Sequence, residues 1–252
     1  MENKIIQFKE KFGFSSSTLK VIAMITMLFD HLWGTIIKGN LWLTVIGRIT
    51  LPIFAFQVAE GFCKTSNKKK YAMRVFIFAL ISEIPFNFMM SGNWFYPFHQ
   101  NVLFGFLIAI GAMWIIEWVK KKNCWYLTIL IELLVILGGF TLATLSMVDY
   151  QGFVVLTVLL FYLFRNYKFA WLGQLIGMFV INYLWLGGQT INFTLLGNLI
   201  EFPIQATAML ALIPIWLYNG KKGFGGKKMQ YFVYAFYPLH IAILVIIANF
   251  LR

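Results

Sequence analysis

The chain has 252 residues and a net charge of +12, with 60% hydrophobic and only 12% charged residues. A soluble domain carries about 25% charged residues, so a core buried from water is excluded as the organising principle, and lipid is the implied solvent. The positive charge does not point to nucleic acid, because the Lys and Arg residues lie in short blocks between apolar runs. The two cysteines, Cys63 and Cys124, fall at expected cytoplasmic ends, where thiols stay reduced. No Cys/His pattern has metal-site spacing, so neither a disulfide nor a metal is expected.

Residues 1–17 set Ile5, Ile6, Phe8, Phe12 and Phe14 among Lys and Glu, the pattern of a short amphipathic segment on the inner membrane surface. Crossing the hydrocarbon takes about 20 apolar residues. Spans are expected near 19–38, 41–62, 71–90, 101–119, 124–145, 148–165, 168–186, 203–218 and 231–251. The first is too long, and with Asp30 and His31 too polar, for the core of a cleaved leader, and it reads as a retained helix. Residues 190–202 read as a re-entrant or interfacial piece. The expected fold is all-α: one polytopic transmembrane domain over 1–252, with the helical bundle in 19–251.

Basic residues cluster in alternate connections. They are Lys4, Lys9, Lys11 and Lys20, then Lys64, Lys68, Lys69, Lys70 and Arg74, then Lys120–Lys122, Arg165 with Lys168, and Lys221, Lys222, Lys227 and Lys228. Of the chain's 21 Lys and Arg, only Lys38, Arg48 and Arg252 lie elsewhere. The positive-inside rule then sets the N-terminus in the cytoplasm and the C-terminus outside. Trp42, Trp94, Trp118, Trp125 and Trp185 lie at run ends, as interfacial belts do.

Ionisable groups in hydrocarbon cost roughly 2.5–3.5 kcal/mol each at a helix centre. Here Asp30, His31, Arg48, Glu60, Glu83, Glu132 and His240 all fall inside expected spans. Any one could be a structural pair; together they imply a polar interior. Lys20 and His31 are eleven residues apart, three helical turns plus about 20°, so they share a face. His31 then lies about 16 Å deeper than Lys20. This suits a long, thin cofactor with a phosphorylated head and a reactive tip, although Lys20 also reads as a positive-inside anchor. Asp30 neighbours His31 but faces away from it, so it is expected to pair with Arg48 or another helix. Pro52, Pro85 and Pro238 each remove a backbone donor and kink their spans. The external loop SGNWFYPFHQ (91–100) reads as a substrate lip or a plain interfacial loop. No phosphate loop, nucleophile elbow, HExxH or dinucleotide fingerprint is present.

Several blocks in order resemble one family: LKVIAMITMLFDHLW (19–33), IGRITLPIFAFQVAEGF (46–62), KKYAMRVFIFALISEIPFN (69–87), QNVLFGFL (100–107), VLLFYLFRN (158–166) and YAFYPLHIAIL (234–244). They are similar to the TraX family, named for a conjugation protein that acetylates the amino terminus of pilin subunits. One departure is VDYQGF (148–153), where Gln151 stands in place of the first glycine of a DYGxxG-like pattern. The family in turn resembles a wider group of transmembrane acyltransferases. These carry a basic residue eleven positions before a histidine in the first helix, matched here by Lys20 and His31, and a second helix ending in Gly-Phe, matched by Gly61 and Phe62.

The resemblance implies an acyl-CoA, most simply acetyl-CoA, as donor from the cytoplasm. It implies an acceptor amine or hydroxyl outside, on a peptide, a glycan or a lipid-linked sugar. His31 is then the expected general base, or the carrier of a transient acyl group. Asp30, Arg48, Glu60, Glu83 and His240 are candidate pocket residues. Lys20, Lys64, Lys68, Lys69, Lys70 and Arg74 are candidates for the CoA phosphates. The Lys-rich 64–74 block equally reads as an ordinary cytoplasmic loop. The expected location is a bacterial plasma membrane, with lipid as the surrounding partner. Two rivals remain from the residues alone. A proton-coupled small-solute transporter would also use buried carboxylates and broken helices, and an assembly or immunity factor would need no chemistry.

Overall fold

Helices dominate the computed structural model, which describes residues 9, 11–195 and 197–251. The expected amphipathic face of Ile5, Ile6 and Phe8 lies outside the described residues. Helix α1 (Ser16–Thr35) starts where the Ser15 hydroxyl accepts the Thr18 N–H at 3.2 Å. Asn40, Asn67 and Asn101 cap α2 (Leu41–Gly47), α4 (Lys68–Ser91) and α5 (Val102–Lys120) in the same way. Between them runs α3 (Thr50–Lys64). The break at Arg48–Ile49, between α2 and α3, follows from Pro52, which cannot bond to the Arg48 carbonyl and whose ring crowds it. Helix α4 ends on Gly92, in the left-handed conformation at φ 75°. Pro85 sits inside it, and Pro238 sits inside the last helix.

Helices α6 (Trp125–Leu145), α7 (Gln151–Leu163) and α8 (Ala170–Phe179) follow, and α8 runs on as a π-helix over Val180–Trp185. Then comes a departure from the all-α expectation. Residues 190–203 form an antiparallel hairpin of β1 (Thr190–Leu195) and β2 (Asn198–Pro203), with Thr190 opposite Pro203 and Leu195 opposite Asn198. β-Branched residues at Thr190, Ile191 and Thr194 favour extended backbone, and Gly197 at φ 81° supplies the reversal. A 3-10 helix (Ile204–Ala211) leads into α9 (Leu212–Trp216), and α10 (Gly226–Phe250) completes the described fold.

Among the described residues, five helical stretches are long and apolar enough to cross a membrane: Leu41–Lys64, Lys68–Ser91, Val102–Lys120, Trp125–Leu145 and Gly226–Phe250. Three apolar helices are shorter, at Gln151–Leu163, Ala170–Trp185 and Ile204–Trp216. Helix α1 has 20 residues and is not among the five; its serine-rich first turn, Lys20, Asp30 and His31 interrupt its apolar run. Helix α6 turns Ile129, Leu130, Leu133, Leu134 and Leu137 outward. A continuous apolar face of this kind belongs in hydrocarbon.

The chain packs as two compact units. One comprises the described residues up to Phe54, Phe169–Phe236 and those from Ile246 onward; the other comprises Ala55–Lys168 and Tyr237–Val245. In the first, Ser16 and Ser17 N–H groups donate to the Lys221 and Lys222 carbonyls, and the Ser17 hydroxyl donates to the Phe224 carbonyl at 2.6 Å. The second is centred on Ala109, Ile110, Met113 and Ile116 of α5 and Val154, Val155, Val158 and Phe161 of α7, all nearly inaccessible. Gly105 lets these two helices meet, since a Cβ there would lie 2.4 Å from Val154 Cγ1.

Candidate functional site

In the first unit, α1 carries Lys20, Asp30 and His31. Asp30 lies directly against Gly47, where an added Cβ would come within 2.4 Å of the Asp30 Cβ. That close approach brings α2 to the carboxylate. Thr44 Oγ1 donates to Asp30 Oδ1 at 2.8 Å, and Arg48 Nη2 donates to the same oxygen at 3.0 Å. Arg48 also donates to Thr44 Oγ1 through Nη2 at 2.6 Å and through Nε at 3.1 Å. Its Nη1 reaches Gln205 Oε1 at 3.4 Å, and Gln205 Nε2 donates to Asn182 Oδ1 at 2.9 Å. Thr44, Gln205 and Asn182 are buried. A mostly buried charge pair is tolerable only when its remaining donors and acceptors are satisfied, and here polar neighbours take them up. The expected pairing of Asp30 with Arg48 is present. His31 is half-buried, and its backbone carbonyl accepts the Thr35 hydroxyl at 2.6 Å.

In the second unit, the expected site residues separate into two groups. Glu60 is 7% exposed and lies at the Lys-rich end. Arg165 Nε and Nη2 both donate to its Oε2 at 2.9 Å, and Lys64 Nζ lies 2.7 Å from its Oε1. Lys68 pairs with Glu117 and lies 4.5 Å over the Phe62 ring. Arg74 lies over Tyr71, and Lys69 and Lys70 are exposed. Two of the expected phosphate ligands, Lys64 and Lys68, therefore already face carboxylates. Lys120 likewise reaches Glu132 at 2.9 Å.

Glu83 is about 22 Å along α4 from Lys68, at the far end from Glu60. Its Oε2 accepts from the Asn101 backbone N–H at 3.3 Å and from Asn101 Nδ2 in a shorter contact. Asn101 is completely buried; it donates to the Ala79 carbonyl at 2.9 Å and caps α5. Immediately before it, Gln100 joins Val148 in a short parallel bridge, with Gln100 N–H on the Met147 carbonyl and Asp149 N–H on the Gln100 carbonyl, each at 2.8 Å. The bridge brings His99 Nε2 to 3.3 Å from Asp149 Oδ1. Phe86 meets the His99 ring edge-on at 5.3 Å. The bond to Asp149 is the main cause that raises the His99 pKa above its ordinary 6.5; burial opposes it, and the charges of Asp149 and Glu83 reinforce it. The buried Tyr237 and His240 have ring centroids 6.0 Å apart. The Tyr237 hydroxyl lies against the Val102 backbone N–H, within the field of Asp149 and Glu83.

Residues 15–248 match the family described as TraX protein. The chain belongs to the TraX family. It is also 29% identical over 254 residues, covering 95% of this chain and 98% of the relative, to a protein of Dichelobacter nodosus named "Probable fimbrial assembly protein FimC, serogroup H1". No solved structure matches.

In this TraX-family chain the family-like blocks carry these polar contacts. The DH block is Asp30–His31, the IGRITLPIFAFQVAEGF block supplies Arg48 to the first unit and Glu60 to the second, and the SEIPF and QNV blocks meet as Glu83 and Asn101. Sequence reading missed His99 and Asp149 as site residues. A usable signal was present, since His99 is one of only three histidines and stands beside the QNV block. Among the described residues, no group of three or more His, Cys, Asp or Glu side chains is arranged to hold a metal ion.

Proposed function

We propose that the chain is a transmembrane acyltransferase that moves an acetyl group from cytoplasmic acetyl-CoA to an amine or hydroxyl on the outer side of a bacterial plasma membrane. In this reading α1 and the three shorter apolar helices join the five long stretches to make nine crossings, with the N-terminus inside and the C-terminus outside. The observation that carries it is α1: Lys20 and His31 share one face about 16 Å apart along the axis, while Asp30 is held by Thr44 and Arg48 on another face.

His31 takes the proton from the acceptor N–H or O–H as that atom attacks the thioester carbonyl. The carbon–sulfur bond breaks, the CoA sulfur leaves and gains a proton, and the acylated acceptor and free CoA result. A histidine near neutrality suits that exchange. Lys20 supplies charge for the CoA phosphates. The relative named as a fimbrial assembly protein makes a fimbrial subunit the first peptide acceptor to try.

The proton-coupled transporter reading is less well supported. Asp30 and Glu60 are each held in an ion pair with an arginine, as structural charges are. The test is transfer of labelled acetyl from acetyl-CoA to membrane extracts. Wild type should label an acceptor, and His31→Ala should lose at least a hundredfold while eluting as wild type does in gel filtration. Equal labelling by His31→Ala would remove His31 from the chemistry.

A further inference from the structure

Glu83 and Asn87 are one turn apart on α4 and share a face. Glu83 Oε1 and Asn87 Oδ1 are both buried, and neither accepts a hydrogen bond among the described residues. Asn87 is only 3% exposed. Its Nδ2 donates to the Trp94 carbonyl at 3.3 Å, which sets the amide the way round that leaves its oxygen unpartnered. The Asn101 donors are no help, because both go to the other Glu83 oxygen, Oε2. A buried acceptor without a donor is costly, and two of them a turn apart form an arrangement that lacks donors. His99 lies near Glu83 and against Phe86 of the same helix, and its bond to Asp149 uses Nε2 and leaves Nδ1.

We propose that Glu83, Asn87 and the His99–Asp149 pair bind a primary ammonium group, the protonated amine of the acceptor. An ammonium brings three N–H donors and one positive charge, which matches two orphan acceptors and the carboxylates around them. A hydroxyl brings one donor and no charge. Once bound, the ammonium can pass one proton from its nitrogen to His99 Nδ1, leaving the neutral amine that acyl transfer requires. Describing the amine as an acceptor rests on the acyltransferase reading; the binding itself does not.

The experiment uses the full chain purified in detergent at about pH 7, without acetyl-CoA, and calorimetry with triglycine amide and N-acetyl-triglycine amide. Wild type is expected to bind the free amine at least tenfold more tightly than the acetylated peptide. Glu83→Gln should weaken it about tenfold, the loss of one charge-assisted hydrogen bond. Asn87→Asp should tighten it. No discrimination by wild type, or wild-type affinity in folded Glu83→Gln, overturns the proposal. If Glu83→Gln does not fold, Asn87→Asp decides: tighter binding supports the site, and unchanged or weaker binding overturns it. Acetyl-CoA binding is measured separately on the same protein. Amine discrimination without acetyl-CoA binding leaves the site standing and removes the transferase reading; the reverse removes the site alone.

Discussion

Single side chains in this protein are held by specific polar partners. The Asp30–Arg48 pair has side chains about one-fifth exposed. Removing one partner of a mostly buried pair strands the other charge, at a cost of about 3–5 kcal/mol. Arg48→Leu is therefore expected to destabilise by that amount in detergent unfolding, and the double change Asp30→Asn with Arg48→Gln to recover most of it. His99 behaves differently because it titrates. Its pKa is raised in the folded state, so its contribution is complete below the ordinary value of 6.5 and is lost as pH rises through the higher folded value. The groups around it are Asp149, Glu83 and the Phe86 edge. Amide exchange in residues 92–101 should accelerate as pH rises above about 6.5, once corrected for the intrinsic rate. His99→Gln should abolish that step.

At the scale of elements, turns decide how far helices reach. The turn into α7 holds Met147, Tyr150 and the helix's first residue, Gln151, all at positive φ, with Gln151 at 49°. A side chain in the left-handed region costs roughly 1–2 kcal/mol, partly offset by the greater unfolded freedom of glycine. Gln151→Gly should then stabilise the fold by about 0.5–1 kcal/mol in an unfolding titration. In sequence, Gln151 stands out only as a departure from the glycine of the family-like pattern; the positive φ that glycine adopts freely is visible in the structure alone. The break before Pro52 was legible, because one residue type forces it locally. The hairpin at 190–203 was not, because a short mixed run with a lone Gly197 fits several structures. His99 and Asp149 were not legible as a pair either. They are 50 residues apart, and their meeting depends on the Gln100–Val148 bridge, a tertiary contact with no local signature.

For the whole molecule, the alternating basic connections imply an orientation that can be checked in intact cells. Asn93→Cys, in the loop after α4, should react with an impermeant maleimide added from outside. Lys122→Cys, between α5 and α6, should react only after permeabilisation. The same alternation accounts for much of the Lys-rich chemistry: Lys64, Lys68 and Lys120 face Glu60, Glu117 and Glu132, as structural charges at a membrane boundary do. Membership of the TraX family and the helical membrane character agree with the sequence blocks. The chemistry depends on the donor. The most direct measurement is calorimetry of acetyl-CoA with the purified chain, alongside Lys20→Ala and His31→Ala. Saturable binding by wild type, weaker binding by Lys20→Ala and near-wild-type binding by His31→Ala are expected. Absence of binding by well-folded wild type, to acetyl-CoA and to longer acyl-CoAs alike, would contradict the acyltransferase function.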